Sequence, residues 1–382
     1  MAEKKKQHFV PKFYMRQFAD SNKKFSVFLA EKKTVLPHVP YESQCSKNYF
    51  YGSDAVWENK LSTMEGKWAK AIGYAAKEGD YDEATARLLK QYAIFQRLRT
   101  PAESDYRKQE QSELYEQVIK MQFDKENLDD ETKKACSQIA EEGFSVEDML
   151  DVVNEQQCLI NDLQTLIIEY KTKERLISSD TPVVAINPFH MFSIGLGIMG
   201  LILFYPISAQ RLVVIYDAKM YPKYRGHKLA YSSDGREVVA LNDYQLVSAS
   251  KILFGSNEDC FSAFSDEAWR AREELRERKA VQVLGTRKNK MLIQSQRQIL
   301  LDHELSFGQI RHSFKRIPFI CREAVPRLYE DGWAEKLNIK EGIIMAVRRD
   351  VPDAMPDSTL TDKELRRGYR MMERAAAEYW NK

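Results

Sequence analysis

Near Arg175 the spacing of apolar residues changes, and this change restricts the folds open to the 382-residue chain more than any other feature. Before it, apolar residues recur every three or four positions, the period of a helix with one buried face. After it come short β-branched and aromatic runs separated by Gly, Pro, Asn and Asp, which is how strands read. The spacing predicts a helix from Ser53 or Asp54 to about Lys77, ended at Gly79. A second runs from about Tyr81 to Thr100, where Pro101 stops it, and a charged third from Ala102 to about Phe123. One or two more fall between Ser145 and about Tyr170. Strands are expected at Arg175–Ser178, Val183–Ile186, Ile198–Phe204, Arg211–Tyr216 and Glu237–Leu241. Asn242 then caps a helix to Phe254, closed by Gly255.

The ends frame this pattern. Pro11 suits the first turn of a short helix carrying Phe13, Tyr14 and Phe18. Phe25–Leu29 and Thr34–His38 read as a hairpin. From Ser265 onward the chain reads as mainly helical and basic, with a linker at Asp350–Ser358 and a last helix at Thr361–Trp380. The expected fold is mixed α+β: a helix-rich N-terminal half, a central β-sheet region and a helical, basic C-terminal part. Residues 1–260 form one α+β domain, with helices over about 53–170 and strands over about 175–241, and residues 261–382 a second region.

Composition excludes several classes. A hydrophobic fraction of 43% with 30% charged residues is that of a chain with a core, not of a disordered one. The net charge is +2, but Lys and Arg dominate residues 1–101 and 266–382 while Asp and Glu dominate 102–180. Basic ends can meet a polyanion such as nucleic acid, or they can pack against the acidic middle of the same molecule. The five cysteines, Cys45, Cys136, Cys158, Cys260 and Cys321, are scattered and form no CxxC, which fits a reducing cytoplasm better than a disulfide framework. The lysine-rich start runs into an aromatic stretch and gives no signal peptide. Between Asn187 and Gln210 there is no charged residue, a length close to the roughly 20 residues that span a bilayer. Its three glycines and flanking prolines favour two buried strands around a loop, so a membrane is not the expected partner.

Two helices carry polar groups on their apolar stripe. Leu61, Glu65, Trp68 and Ile72 share one face, with Glu58 seven residues before Glu65 on the same side. Leu88, Tyr92, Gln96 and Arg99 share a face by the same spacing. A charge aimed at a core must be paired, solvated or bound to a ligand. Arg99 paired with Glu58 or Glu65 satisfies this as structure alone. The same carboxylates could instead hold a divalent metal or act as acid and base. His8, in an aromatic cluster, reads as a packing residue or a catalyst, and Asp180, at a strand end, as a turn former or a site.

Other patterns fail on context. Gly195-Leu-Gly197-Ile-Met-Gly200 matches a dinucleotide loop but does not open a helix, so no nucleotide cofactor is expected. Asp54 with Glu65-Gly66-Lys67 imitates a nuclease pattern whose second part belongs on a strand. Arg297 and His303 imitate the Arg–His spacing of helical ribonucleases. No phosphate loop, zincin or α/β-hydrolase motif is present.

The opening Gln7-His8-Phe9-Val10-Pro11-Lys12-Phe13-Tyr14-Met15-Arg16-Gln17-Phe18 resembles the QHFVPQFYLRNF start of domain-of-unknown-function family four-two-three-eight. Glu58 and Glu65 look like its helical Glu pair, and Gln96, Arg99, Thr100 and Pro101 like its Q-x-x-R-T-P. Ile177 to Val183 looks like its strand followed by T-S-D-N-P-V, and Tyr205 to Ser208 resembles its P-L-S-P. Met15 stands for Leu, Thr181 for Asn, and Ala209 for the last Pro. The likeness covers about Gln7 to Gly255. The family carries no assigned reaction; its members are similar to accessory genes of bacterial islands and prophages, some to single-gene anti-phage systems. The resemblance therefore implies a defence effector with a phage protein as trigger.

Two readings remain, and a third is weaker. In the first, the chain is a nuclease. Glu58, Glu65 and Asp180 bind Mg²⁺ or Mn²⁺, His8 is the acid or base, and Arg16, Gln96 and Arg99 hold the substrate, while the basic termini attract nucleic acid. In the second, the same residues are scaffolding of a non-enzymatic sensing or protein-interaction module. The third makes Phe192–Pro206 the membrane-active part of a toxin.

Overall fold

A computed structural model describes residues 6–50, 55–123, 127–141, 152–153, 156–187, 196–197, 200–218, 220–286, 289–294, 299 and 301–309. Within these, the side chains at 55–60, 140–141 and 282–294 lie outside the description. The expected linker at 350–358 and last helix at 361–380 lie outside the described residues.

The chain is mixed α+β, as its pattern predicts. It opens with β1 (Lys6–His8), which pairs antiparallel with β4 (Ser46–Asn48). Between them lie α1 (Lys12–Met15), a tight turn at Arg16–Phe18, and the hairpin β2 (Lys24–Leu29) and β3 (Thr34–Pro40). Pro11 stands just ahead of α1 in extended conformation, φ −63° and ψ 144°.

Four helices follow: α2 (Ala55–Glu78), α3 (Glu83–Leu98), α4 (Pro101–Gln122) and α5 (Asp130–Glu141). Their ends follow local chemistry. Gly79 takes φ +69°, open to glycine without a Cβ penalty, and closes α2 through its N–H to the Ala75 carbonyl. The Asp82 carboxylate accepts the Thr85 N–H at 2.7 Å to start α3. The Thr100 hydroxyl accepts the Glu103 N–H at 3.2 Å, with Pro101 at the first helical position of α4.

The remaining strands are β5 (Gln164–Tyr170), β6 (Ser178–Ser179), β7 (Val184–Ile186), β8 (Ile202–Pro206), β9 (Arg211–Tyr216), β10 (Leu229–Ser232), β11 (Ile252–Gly255), β12 (Val281–Thr286) and β13 (Asn289–Gln294). Two more helices, α6 (Gly235–Ser248) and α7 (Asp266–Glu277), lie among them. A four-stranded antiparallel sheet has the order β3-β2-β11-β6, joining the N-terminal hairpin to strands far along the chain. A five-stranded sheet has the order β10-β5-β9-β8-β7, parallel only between β10 and β5.

Strands β8 and β9 at the middle of the five-stranded sheet are buried on both faces. Leu203, Tyr205, Val213 and Ile215 face a core shared with Tyr14, Trp68, Tyr92 and Phe95. Ile202, Phe204, Leu212, Val214 and Tyr216 face a second core under α6, α7, Ile299 and residues 301–307. Ala268, Ile299, Leu305 and Phe307 belong to that second core, so the chain just beyond residue 260 packs onto the same sheet. No helix among the described residues is long and apolar enough to cross a membrane.

Three expectations are corrected. The helical stretch expected up to Tyr170 ends in β5, where Leu166, Ile168 and Tyr170 alternate with Thr165 and Ile167 between the two cores. Glu237–Leu241 is helical, not a strand: Asp234 caps α6 by accepting the Arg236 N–H at 3.0 Å, and Val238, Leu241 and Tyr244 bury one face. The helix expected to run to Phe254 stops at Ser248, because Ile252–Gly255 is drawn into the gap between β2 and β6. Beyond Ser265 the described residues include α7 and the β12–β13 hairpin.

Candidate functional site

Four of the residues picked from the sequence converge on the opening segment. Arg99, at the C-terminal end of α3, is only 1% exposed. Its guanidinium donates to Glu65 Oε1 of α2 at 2.8 Å and to the His8 carbonyl at 2.7 Å, and lies 5.1 Å from the Phe95 ring. One turn earlier on the same face, Gln96 Nε2 donates to the Phe9 carbonyl at 2.9 Å. The His8 imidazole donates through Nε2 to the Glu42 carbonyl at 3.0 Å. Burial pushes the His8 pKa below its ordinary 6.5, aided by the charges of Lys12 and Lys6. The pairing foreseen for Arg99 is therefore made with Glu65. The side chain of Glu58 lies outside the described residues.

The other two candidates lie elsewhere. Arg16 is exposed on the turn after α1. Asp180 follows β6 and is 5% exposed. Its carboxylate accepts the N–H groups of Ser250 (2.7 Å), Lys251 (2.7 Å) and Ile252 (3.2 Å), where the connection from α6 enters β11. From the opposite side Arg272 of α7 donates to the carbonyls of Leu246 at 2.5 Å, Ser250 at 2.9 Å and Ala249. One short connection is thus held through its N–H groups by a carboxylate and through its carbonyls by a guanidinium. Burial pushes the Asp180 pKa up, against the downward pull of its three backbone bonds and of Arg272. Burial also brings Arg272 down to about 10. Among the described residues no group of three or more His, Cys, Asp or Glu is placed to hold a metal ion.

The remaining motif positions close the frame. The Tyr14 hydroxyl donates to the Pro206 carbonyl at 2.5 Å and accepts from Ser178 Oγ at 2.9 Å. Ser179 Oγ donates to Gln245 Oε1 at 2.9 Å, and Gln245 Nε2 donates to the Pro182 carbonyl at 2.8 Å. Asn242, expected as a helix cap, sits within α6 and bridges to the Ile177 N–H and the Arg175 carbonyl. Gly200, at φ +81°, donates its N–H to Asp217 at 3.1 Å, so the acidic residue after the glycine-rich run serves a turn.

Sequence reasoning missed four buried polar residues. Tyr14 and Ser178 lay inside the motifs but carried no marker for a polar role. Arg272 sits in a charge-rich stretch that reads as a solvated helix. Asp243, 1% exposed, meets His303 Nε2 at 3.0 Å while its other oxygen accepts the Ser265 N–H. His303 lies outside any helix, unlike the ribonuclease spacing it imitates.

No curated protein and no solved structure matches this chain. The sequence profile of the family described as Protein of unknown function (DUF4238) matches residues 6–259, which hold every motif drawn together above. The chain belongs to that family.

Proposed function

We propose that this protein serves anti-phage defence as a sensing or protein-interaction module whose motif residues are its scaffold. The observation that carries this reading is that the motif side chains are engaged within the chain. Arg99 joins Glu65 to the His8 carbonyl, and Asp180 accepts three backbone N–H groups. A ligand set for metal or phosphate would have to give up these bonds, each of which is costly to leave unmade when buried. The defence context rests on the resemblance of the opening motif, and a phage protein is the trigger it implies.

A second reading, a metal-dependent nuclease acting on nucleic acid through Glu58, Glu65 and Asp180 with His8 as acid or base, is favoured by one observation. Glu65 keeps 30% of its side chain exposed beside a buried cation. Thermal melts of the wild type and Glu65→Gln, with and without Mg²⁺ or Mn²⁺, separate the two. Scaffolding predicts an early-melting mutant and no response to metal. A ligand site predicts a wild type stabilised by metal and a mutant of unchanged stability that ignores it.

A further inference from the structure

Residues 301–309 cross α6 and α7 without joining any sheet, and the contacts that hold them are made largely by acidic side chains. Glu267 Oε1 accepts the Asp302 N–H at 2.7 Å, Asp243 Oδ2 meets His303 Nε2 at 3.0 Å, and Glu237 Oε1 accepts the Ser306 N–H at 2.6 Å. Leu305 and Phe307 are pressed into the second core, Phe307 with its ring 5.9 Å from that of Phe204. We propose that this segment is a proton-controlled strap, closed while His303 is charged and released when His303 loses its proton, uncovering the core face around Phe204 and Tyr244.

The surroundings of His303 support this. From α6 come Asp243 and the edge-on Tyr244 ring, from α7 Glu267, and from the strap itself Asp302; among the described residues the charged groups acting on it are these three anions. Its hydrogen bond to Asp243 raises its pKa above the ordinary 6.5, with burial opposing. A folded-state pKa raised in this way gives stability that is fully present below 6.5 and lost as pH rises through the folded value. Once His303 is neutral, Asp243 is a buried carboxylate without a counter-charge and faces Glu267 and Asp302 across the seam.

Hydrogen exchange of the full chain, corrected for intrinsic rates, tests the strap. Protection of the Asp302 and Ser306 amides should fall as pH rises above 6.5, by about tenfold for each unit separating the closed and open pKa values of His303, while α6 amides hold. In His303→Gln the strap should lose this pH dependence. Glu267→Gln keeps an acceptor for the Asp302 N–H but removes an anion, so the transition should move to lower pH. Flat protection in the wild type, or an unchanged transition in His303→Gln, overturns the proposal. Should His303→Gln fail to fold, an unmoved midpoint in Glu267→Gln overturns it equally.

Discussion

Tyr14 and Ser178 share a hydrogen bond of 2.9 Å across 164 residues of chain. The same phenol donates to the Pro206 carbonyl, so one side chain of the opening segment closes onto two later motifs. Tyr14→Phe removes both bonds and leaves a buried serine and a buried carbonyl short of a partner. Its expected cost is about 1–3 kcal/mol of unfolding free energy. Ser178→Ala in the Tyr14→Phe background should cost less than in the wild type, because the pair is already broken. Urea denaturation of the four proteins measures this.

Tyr92→Phe should behave in the opposite way. Among the described residues the buried Tyr92 hydroxyl has no hydrogen-bond partner, and its aromatic neighbours include Tyr14, Trp68 and Tyr205. Removing it takes away a desolvated polar atom and breaks no bond. The midpoint of urea unfolding should stay level or rise, and a clear fall would show that the hydroxyl is bonded in solution.

Arg99→Lys should not pass as conservative. The guanidinium spans Glu65 and the His8 carbonyl at once, and a single ammonium on a flexible stem cannot reproduce that fork. Arg99→Met, which abolishes the charge, leaves Glu65 unpaired beside the core. Breaking a buried pair from one side costs roughly 3–5 kcal/mol, and the lysine variant should fall between this and the wild type in calorimetric melting.

His8 predicts the acid limb of the stability curve. Its folded pKa lies below the ordinary 6.5 because burial penalises the charged ring. A depressed histidine gives stability that is present above 6.5 and lost as pH falls through the folded value. His8→Gln, whose amide can still donate to the Glu42 carbonyl, should flatten the loss of stability below about pH 6. The same fall in both proteins would assign the acid limb to other groups.

The sequence revealed much of this frame where the cause was local. The faces of α2 and α3 were readable from residue spacing, so Glu65, Gln96 and Arg99 could be aimed inward before any contact was known. Gly79 and Pro101 mark helix ends by their own stereochemistry. What stayed hidden depends on distant neighbours. Val238 and Val239 look like strand residues, yet Asp234 and the second core make them helical. Ile252–Gly255 looks like the tail of that helix until β2 and β6 supply hydrogen bonds on both sides. The partners of Asp180 and His303 likewise belong to segments that only the fold brings near, and no spacing rule connects them.

The order β3-β2-β11-β6 has a consequence for how the chain is made. Phe25 and Phe28, only 2% and 5% exposed, lie on a hairpin whose central neighbour, β11, ends at Gly255. At a synthesis rate of about 5–20 residues per second, that hairpin leaves the ribosome many seconds before the strand that covers its edge exists. During that interval it presents an unpaired strand and bare aromatic rings to the cell. The emerging N-terminal hairpin is therefore the part of this protein most in need of a chaperone.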